Sequence, residues 1–259
     1  MSESATYVYA VTRGLDPAGL AAVRGVEGAA VHLVPDGDLA AVVSTVPLAE
    51  YDEEALKAKL ERLDWLEEVA RAHHGVVDAV TARGTALPFR LATVYRGDDR
   101  VAEVLREGRA RFAEMLDLLT GRVEIGVKVY VDPAEVSAAS APAAAEPSGS
   151  PGKDYLKRRK EQRRSRDDAW ERAAELGRRV DAGLVPYAVD VRHHRPQNPQ
   201  LSGARGENVL NAAYLVDAGD TQAFAARARK MDGAVPGTRI ELTGPWAPYS
   251  FALTEKPDG

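Results

Sequence analysis

The sequence predicts an α+β protein of two α/β-layer domains joined by a linker, and three observations carry that reading. Short runs rich in β-branched and aromatic residues, such as Tyr7–Val11 and Val123–Val131, alternate with longer segments of helical period. At 259 residues the chain is long enough for two cores of ordinary size. Between Pro133 and Gly152 it is almost wholly Ala, Pro, Ser, Gly and Glu, which offers too little apolar area to offset the entropy of ordering. The expected organisation is therefore an N-terminal domain over 1–132, a flexible linker over 133–152 and a C-terminal domain over 153–259.

The elements follow in order. Tyr7–Val11 reads as a strand ended by Gly14, and Asp16-Pro17 starts a short helix toward Val23. Val31–Val34 and Leu39–Ser44 form a hairpin around Pro35-Asp36-Gly37-Asp38, where Gly37 supplies the positive φ of a tight turn. From Asp52, a cap followed by Glu53 and Glu54, the period becomes helical. Leu56, Leu60, Leu63, Leu66, Val69, His73, Val76 or Val77, and Val80 form its apolar stripe, with a possible break at Gly75 and a stop at Gly84. Ala86–Tyr95 reads as extended, Asp98–Leu119 as one helix closed by Gly121, and Val123–Val131 as a strand of the N-terminal sheet. Past the linker, Lys153–Ala182 reads as a long helix, Val185–Arg192, Val209–Asp217 and Thr238–Thr243 as strands, Thr221–Lys230 as a helix, and Tyr249–Leu253 as a final strand.

Composition narrows the function. Hydrophobic residues at 45% and charged residues at 28% are the balance of a folded globular protein. The absence of cysteine excludes disulfides, cysteine-zinc sites and thiol chemistry, and fits a reducing cytoplasm. No stretch approaches the roughly twenty apolar residues of a membrane span, and Met1–Ala5 carries no leader signal. A net charge of -5 argues against a surface built for nucleic acid. The expected location is cytoplasmic, with no membrane partner.

Motifs for chemistry are missing. There is no GxGxxG after a strand, no GxxxxGK[ST], no HExxH and no GxSxG. The pair His73-His74 projects in directions about 100° apart on a helix and does not converge on a metal. His73 is expected to face the core or an interface, and His74 the solvent. Neither an enzyme nor a cofactor is expected. The sharpest charge feature, Lys157-Arg158-Arg159-Lys160 with Arg163, Arg164 and Arg166, is soon followed by Asp167, Asp168, Glu171 and Glu175. It reads as a solvated face or a patch for an acidic protein partner, with nucleic-acid binding by Lys157–Arg166 as the alternative.

Six blocks add a resemblance. Tyr7–Val11, Ala86–Tyr95 and Glu124–Asp132, then Tyr155–Arg159, Asn208–Val216 and Gly244–Phe251, resemble in their order the GvpL/GvpF gas-vesicle proteins. Leu91-Ala92 stands where that family commonly has Phe-Gly, and Ile125 where it has an aromatic. The resemblance implies an accessory protein of gas-vesicle assembly, located with the vesicle, whose N-terminal domain binds the small hydrophobic shell protein and whose C-terminal domain is a modified ferredoxin-like fold. Other gas-vesicle accessory proteins are the further partners it implies. Leu87, Phe89, Arg90 and Tyr95 are the candidate shell-protein contacts, with inward-facing core as the alternative for Leu87 and Phe89 because a strand buries every second residue, and Arg158 and Arg159 are candidates for a second partner.

Overall fold

A computed structural model describes residues 3–132, 135, 171–196, 206–233 and 237–252. The chain divides into two units, one of residues 1–123 and 246–259, the other of residues 124–245. The mixed α+β class holds, with one sheet in each unit.

The first unit is built on β1 (Ser4–Arg13), β2 (Val31–Asp36), β3 (Leu39–Pro47), β4 (Ala86–Pro88) and β5 (Val94–Tyr95). The strands run in the order β2-β3-β1-β4, and β5 also pairs with β1; β1 is antiparallel to β3, β4 and β5, and β2 to β3. The hairpin turns where expected, with Gly37 at φ 62. Arg109 clamps that turn, donating to the Asp36 carboxylate at 2.7 Å and to Asp38 at 2.8 Å.

β1 is buried from Ala5 to Thr12 without alternation, because helices cover both sheet faces. One face packs on α3 (Leu63–Thr81), joining Tyr7, Tyr9, Ala10, Val42 and Val46 to Val69, Val76, Val77 and Val80. A register shift between Val8 and Ala10 makes a bulge at Tyr9, which puts Tyr9 and Ala10 into the same core. The other face meets α4 (Asp98–Glu107) and α5 (Arg109–Leu119), which bury Val101, Leu105, Phe112 and Leu116.

The helices depart from the sequence reading. The segment from Leu48 forms α1 (Leu48–Tyr51), α2 (Glu53–Leu60) and α3, and the break falls at Arg62, which is extended, not at Gly75. Asp52 caps α2 as expected, accepting from the Ala55 N–H at 2.8 Å. The break leaves Leu60 and Leu63 exposed and turns Lys59 and Trp65 inward in their place. Asp98–Leu119 is likewise two helices, parted at Gly108, where a Cβ would press the Phe112 ring at 2.7 Å. Ala86–Tyr95 is not one strand, for Phe89–Thr93 leaves the sheet between β4 and β5.

The second unit holds β6 (Arg122–Val131), a helix α6 over 171–184, β7 (Asp190–His193), β8 (Glu207–Asp217), α7 (Thr221–Met231) and β9 (Thr238–Trp246). Its sheet order is β7-β8-β6-β9, and β7 and β8 are antiparallel. Element order βαββαβ with the first strand central is ferredoxin-like. The core joins Ile125, Val127, Val129 and Val131 of β6 to Val180, Leu184, Tyr214 and Phe224.

Here the domain boundary is corrected. β6 bonds to β8 and β9, so the N-terminal domain ends at Val123 and not at residue 132. The expected linker over 133–152 then falls in the connection from β6 to α6, inside the second unit; apart from Glu135 it lies outside the described residues, as does the stretch 153–170 of the helix expected over Lys153–Ala182. Val185–Arg192 is not a continuous strand, because Pro186 sits in a 3-10 turn over Val185–Tyr187 before β7. Nor is there a strand over 249–252. That segment turns, with the Ala252 N–H on the Pro248 carbonyl at 3.1 Å, and it returns to the first unit.

Candidate functional site

The segment Ala86–Tyr95 lies on the β4/β5 edge of the first sheet, paired to β1 at both ends. Between them, buried tyrosines of β1 hold the loop. The Phe89 N–H donates to the Tyr9 carbonyl at 2.8 Å, and the Ala92 N–H to the Tyr7 hydroxyl at 2.9 Å. Thr93 closes the turn through its hydroxyl on the Arg90 carbonyl at 2.8 Å. Ala92 takes φ 61, the left-handed region in which a Cβ is strained. The expected Phe-Gly of related sequences at Leu91-Ala92 thus has a backbone cause.

The four contact candidates separate on this loop. Leu87 is fully buried in β4 opposite Val11, so in this fold it supports the edge and presents nothing to a partner. Phe89 is half-buried with its ring 6.2 Å from that of Phe112. Arg90 is exposed, and Tyr95 is half-buried with its hydroxyl pKa raised by burial. Arg158 and Arg159, with the rest of the basic run, lie outside the described residues.

Behind the loop sits a polar core that spacing alone did not reveal. The Tyr7 hydroxyl meets His73 Nδ1 at 3.1 Å, and burial, then the neighbouring His74, depress the His73 pKa to about 4. His73 faces the core and His74 is exposed, as their 100° separation implied. His74 is not idle, since its ring stacks on Tyr249 at 5.0 Å and meets Trp246 edge-on at 6.2 Å. The C-terminal segment is thereby docked along α3, with Ala247 in the core.

Tyr9 pins a second loop. Its hydroxyl meets Ser44 at 2.6 Å and accepts from the Val26 N–H at 2.9 Å. Gly25 makes this approach possible, for a Cβ there would lie 2.0 Å from the Tyr9 oxygen. The 3-10 turn Val26–Gly28 then presents Glu27, at φ 54, over a groove of about 310 Å³ bordered by Glu50, Lys59, Trp65 and Glu68.

In the second unit the polar side chains gather outside the aliphatic core. Asp181 of α6 accepts from the Tyr214 hydroxyl at 2.6 Å and pairs with His193 of β7 at 3.0 Å. Among the described residues there is no group of three or more His, Asp or Glu suited to a metal, and no helix long and apolar enough to cross a membrane.

These two sheets and their order can be set beside known proteins. A family profile described as "Gas vesicle synthesis protein GvpL/GvpF" matches residues 5–253. The chain belongs to the GvpL/GvpF family. Gas vesicle protein L of Streptomyces sp. (strain CB03234) is 48% identical over 247 residues, covering 95% of this chain and 92% of that protein. Gas vesicle protein F of the same organism is 28% identical over 259 residues, 95% of this chain and 98% of the relative. Crystal structures of GvpF share the fold. That from Anabaena sp. PCC7120 superposes with a TM-score of 0.72 at 18% identity over 98% of both chains. That from Microcystis aeruginosa gives 0.67 at 20% identity, over 96% of this chain and 99% of its own. This GvpL/GvpF protein therefore has a part in gas vesicle formation, and the six blocks that resembled the family all fall within the matched span.

Proposed function

We propose that this GvpL/GvpF protein is a non-catalytic assembly factor, acting in the cytoplasm, that holds the small hydrophobic shell protein through its first unit. The supporting observation is the β4/β5 edge, where the exposed Arg90 and the half-buried Phe89 and Tyr95 stand on a loop pinned from beneath by Tyr7 and Tyr9. A loop held by buried hydrogen bonds presents its side chains with little entropy left to lose on binding. A shell monomer with a large apolar surface needs such a carrier before it joins a wall, because exposed apolar area associates indiscriminately. Arg158 and Arg159 are assigned to contact with other gas-vesicle accessory proteins on their charge alone.

The test is co-purification of shell protein with the full chain. A fragment ending at residue 132 is unsuitable, since it would carry β6 without the sheet it belongs to. Shell protein is expected with the wild type, and much less with Arg90→Ala combined with Tyr95→Ala. Equal recovery with the double variant would remove these residues from the contact, and no recovery with the wild type would remove the reading itself.

A further inference from the structure

The groove beside the α1–α3 corner holds a chemistry that the assembly role does not use. Lys59 projects from α2, a helix with no fully buried residue, yet its own side chain is only 17% exposed. Its ammonium lies 5.0 Å from the Tyr51 ring centre and 5.6 Å from that of Trp65. The Glu50 carboxylate meets it at 2.5 Å and that of Glu27 at 3.8 Å. Two aromatic faces and two carboxylates around one ammonium are the elements of a cation cage.

Three further features mark this cage as more than a clasp for α2. Glu27 is placed there by a left-handed backbone that a non-glycine residue adopts at a cost, between Gly25 and Gly28. Open groove remains beside Lys59, bordered also by Glu68, while the other cation at the rim, Arg62, is paired with Asp64 at 2.8 Å. The Tyr51 hydroxyl is buried and closes no hydrogen bond of standard geometry, although Glu27 is near enough to raise its pKa after burial has done so. Among the described residues that border the groove, carboxylates outnumber cations, Glu27, Glu50 and Glu68 against Lys59 and Arg62.

We propose that this groove is a binding site for a primary alkylammonium group, of the kind a lysine side chain of a partner protein carries, with Lys59 as the resident occupant. A partner's ammonium would take the cage as α2 moves aside, exchanging one cation for another between the same rings and carboxylates. The inference does not rest on the shell-protein reading, since the groove lies away from the β4/β5 edge in sequence and shares no candidate residue with it.

The test follows the indole N–H resonance of Trp65, assigned with Trp65→Phe, in the full chain during titration with n-butylammonium chloride against sodium chloride at equal ionic strength. The wild type should show a weak but saturable shift that sodium does not reproduce. Lys59→Met should bind n-butylammonium at least about tenfold tighter, because the competitor is gone, and Glu50→Gln added to it should reverse the gain. Lys59→Gln is the second variant, with the unliganded spectrum confirming the fold of each. An identical response to butylammonium and sodium in wild type and variants would overturn the site and leave Lys59 a structural clasp. Equal affinity in wild type and Lys59→Met would overturn its role as occupant.

Discussion

The two units solve the same packing problem with opposite use of polar groups. Among the described residues, four of the five buried polar side chains, Thr6, Thr12, Ser44 and His73, belong to the first unit, together with the buried hydroxyls of Tyr7 and Tyr9. Among its described residues the second unit buries one side chain of that kind, Asn208, beside a core cluster of Ile, Val, Leu, Ala, Phe and Tyr214. In the first unit the hydroxyls run outward to backbone, holding the 25–28 and 89–93 loops. In the second the Asp181 clasp ties a helix to strands and holds no loop among the described residues. The difference teaches what buried polar groups add: an apolar core confers stability, whereas a hydrogen-bonded core also fixes surface loops.

The largest expected effect tests the apolar core. Phe224→Ala should cost about 3–5 kcal/mol in denaturant melts, and hydrogen exchange should show the loss in β6, β8 and α7. A loss spread equally over both units would break the contrast, because the chain would then respond as one cooperative body.

Acid should find the first unit instead. His73 is held neutral by burial, with its pKa lowered from 6.5 to about 4, so the unfolded chain binds a proton that the folded one does not. Stability from this group is full above pH 6.5 and falls as the pH drops toward 4, by about 3 kcal/mol in all. Stability measured at pH 7 and pH 4 should differ by that much more in wild type than in His73→Gln. An equal pH slope in both would place the acid sensitivity elsewhere.

Deleting one hydroxyl in each unit sharpens the comparison further. Tyr7→Phe and Tyr214→Phe should each cost about 2 kcal/mol. Only the first should release a loop, seen as faster exchange of the Ala92 amide, while the second should loosen α6 against β8. Last, Ala92→Gly should stabilise by about 0.5–1 kcal/mol in thermal melts, since glycine relieves the left-handed strain and gives back part of the gain in chain entropy. A destabilised variant would show that the loop does not need that conformation.

Much of the architecture was legible in the residues. The β2–β3 hairpin followed from Pro35-Asp36-Gly37-Asp38, the α2 cap from Asp52, and the divergent directions of His73 and His74 from helical geometry. The six blocks pointed to the family. Local pattern failed where two alternatives satisfy it equally. Leu60 and Leu63 fit an apolar stripe, yet one extended residue, Arg62, rotates them outward and brings Lys59 and Trp65 in. The candidate edge was readable as a strand, but its departure at Phe89–Thr93 depends on Tyr7 and Tyr9, roughly eighty residues away, and no periodicity within the segment encodes that.

By itself the sequence determined the element types, the absence of recognisable catalytic motifs and the membership of a family, because these depend on local period and on residue identity. Only the tertiary structure decided which sheet each strand joins. Val123–Val131 reads equally well as the last strand of one domain or the first of the next, and its alternation says only that one face is buried. The bonds from β6 to β8 and β9 place it in the second sheet, which moves the boundary to Val123 and turns the proline- and alanine-rich stretch from a presumed link between domains into a connection within one. Strand pairing is a contact between distant segments, and a single chain read in order carries no record of which edges meet.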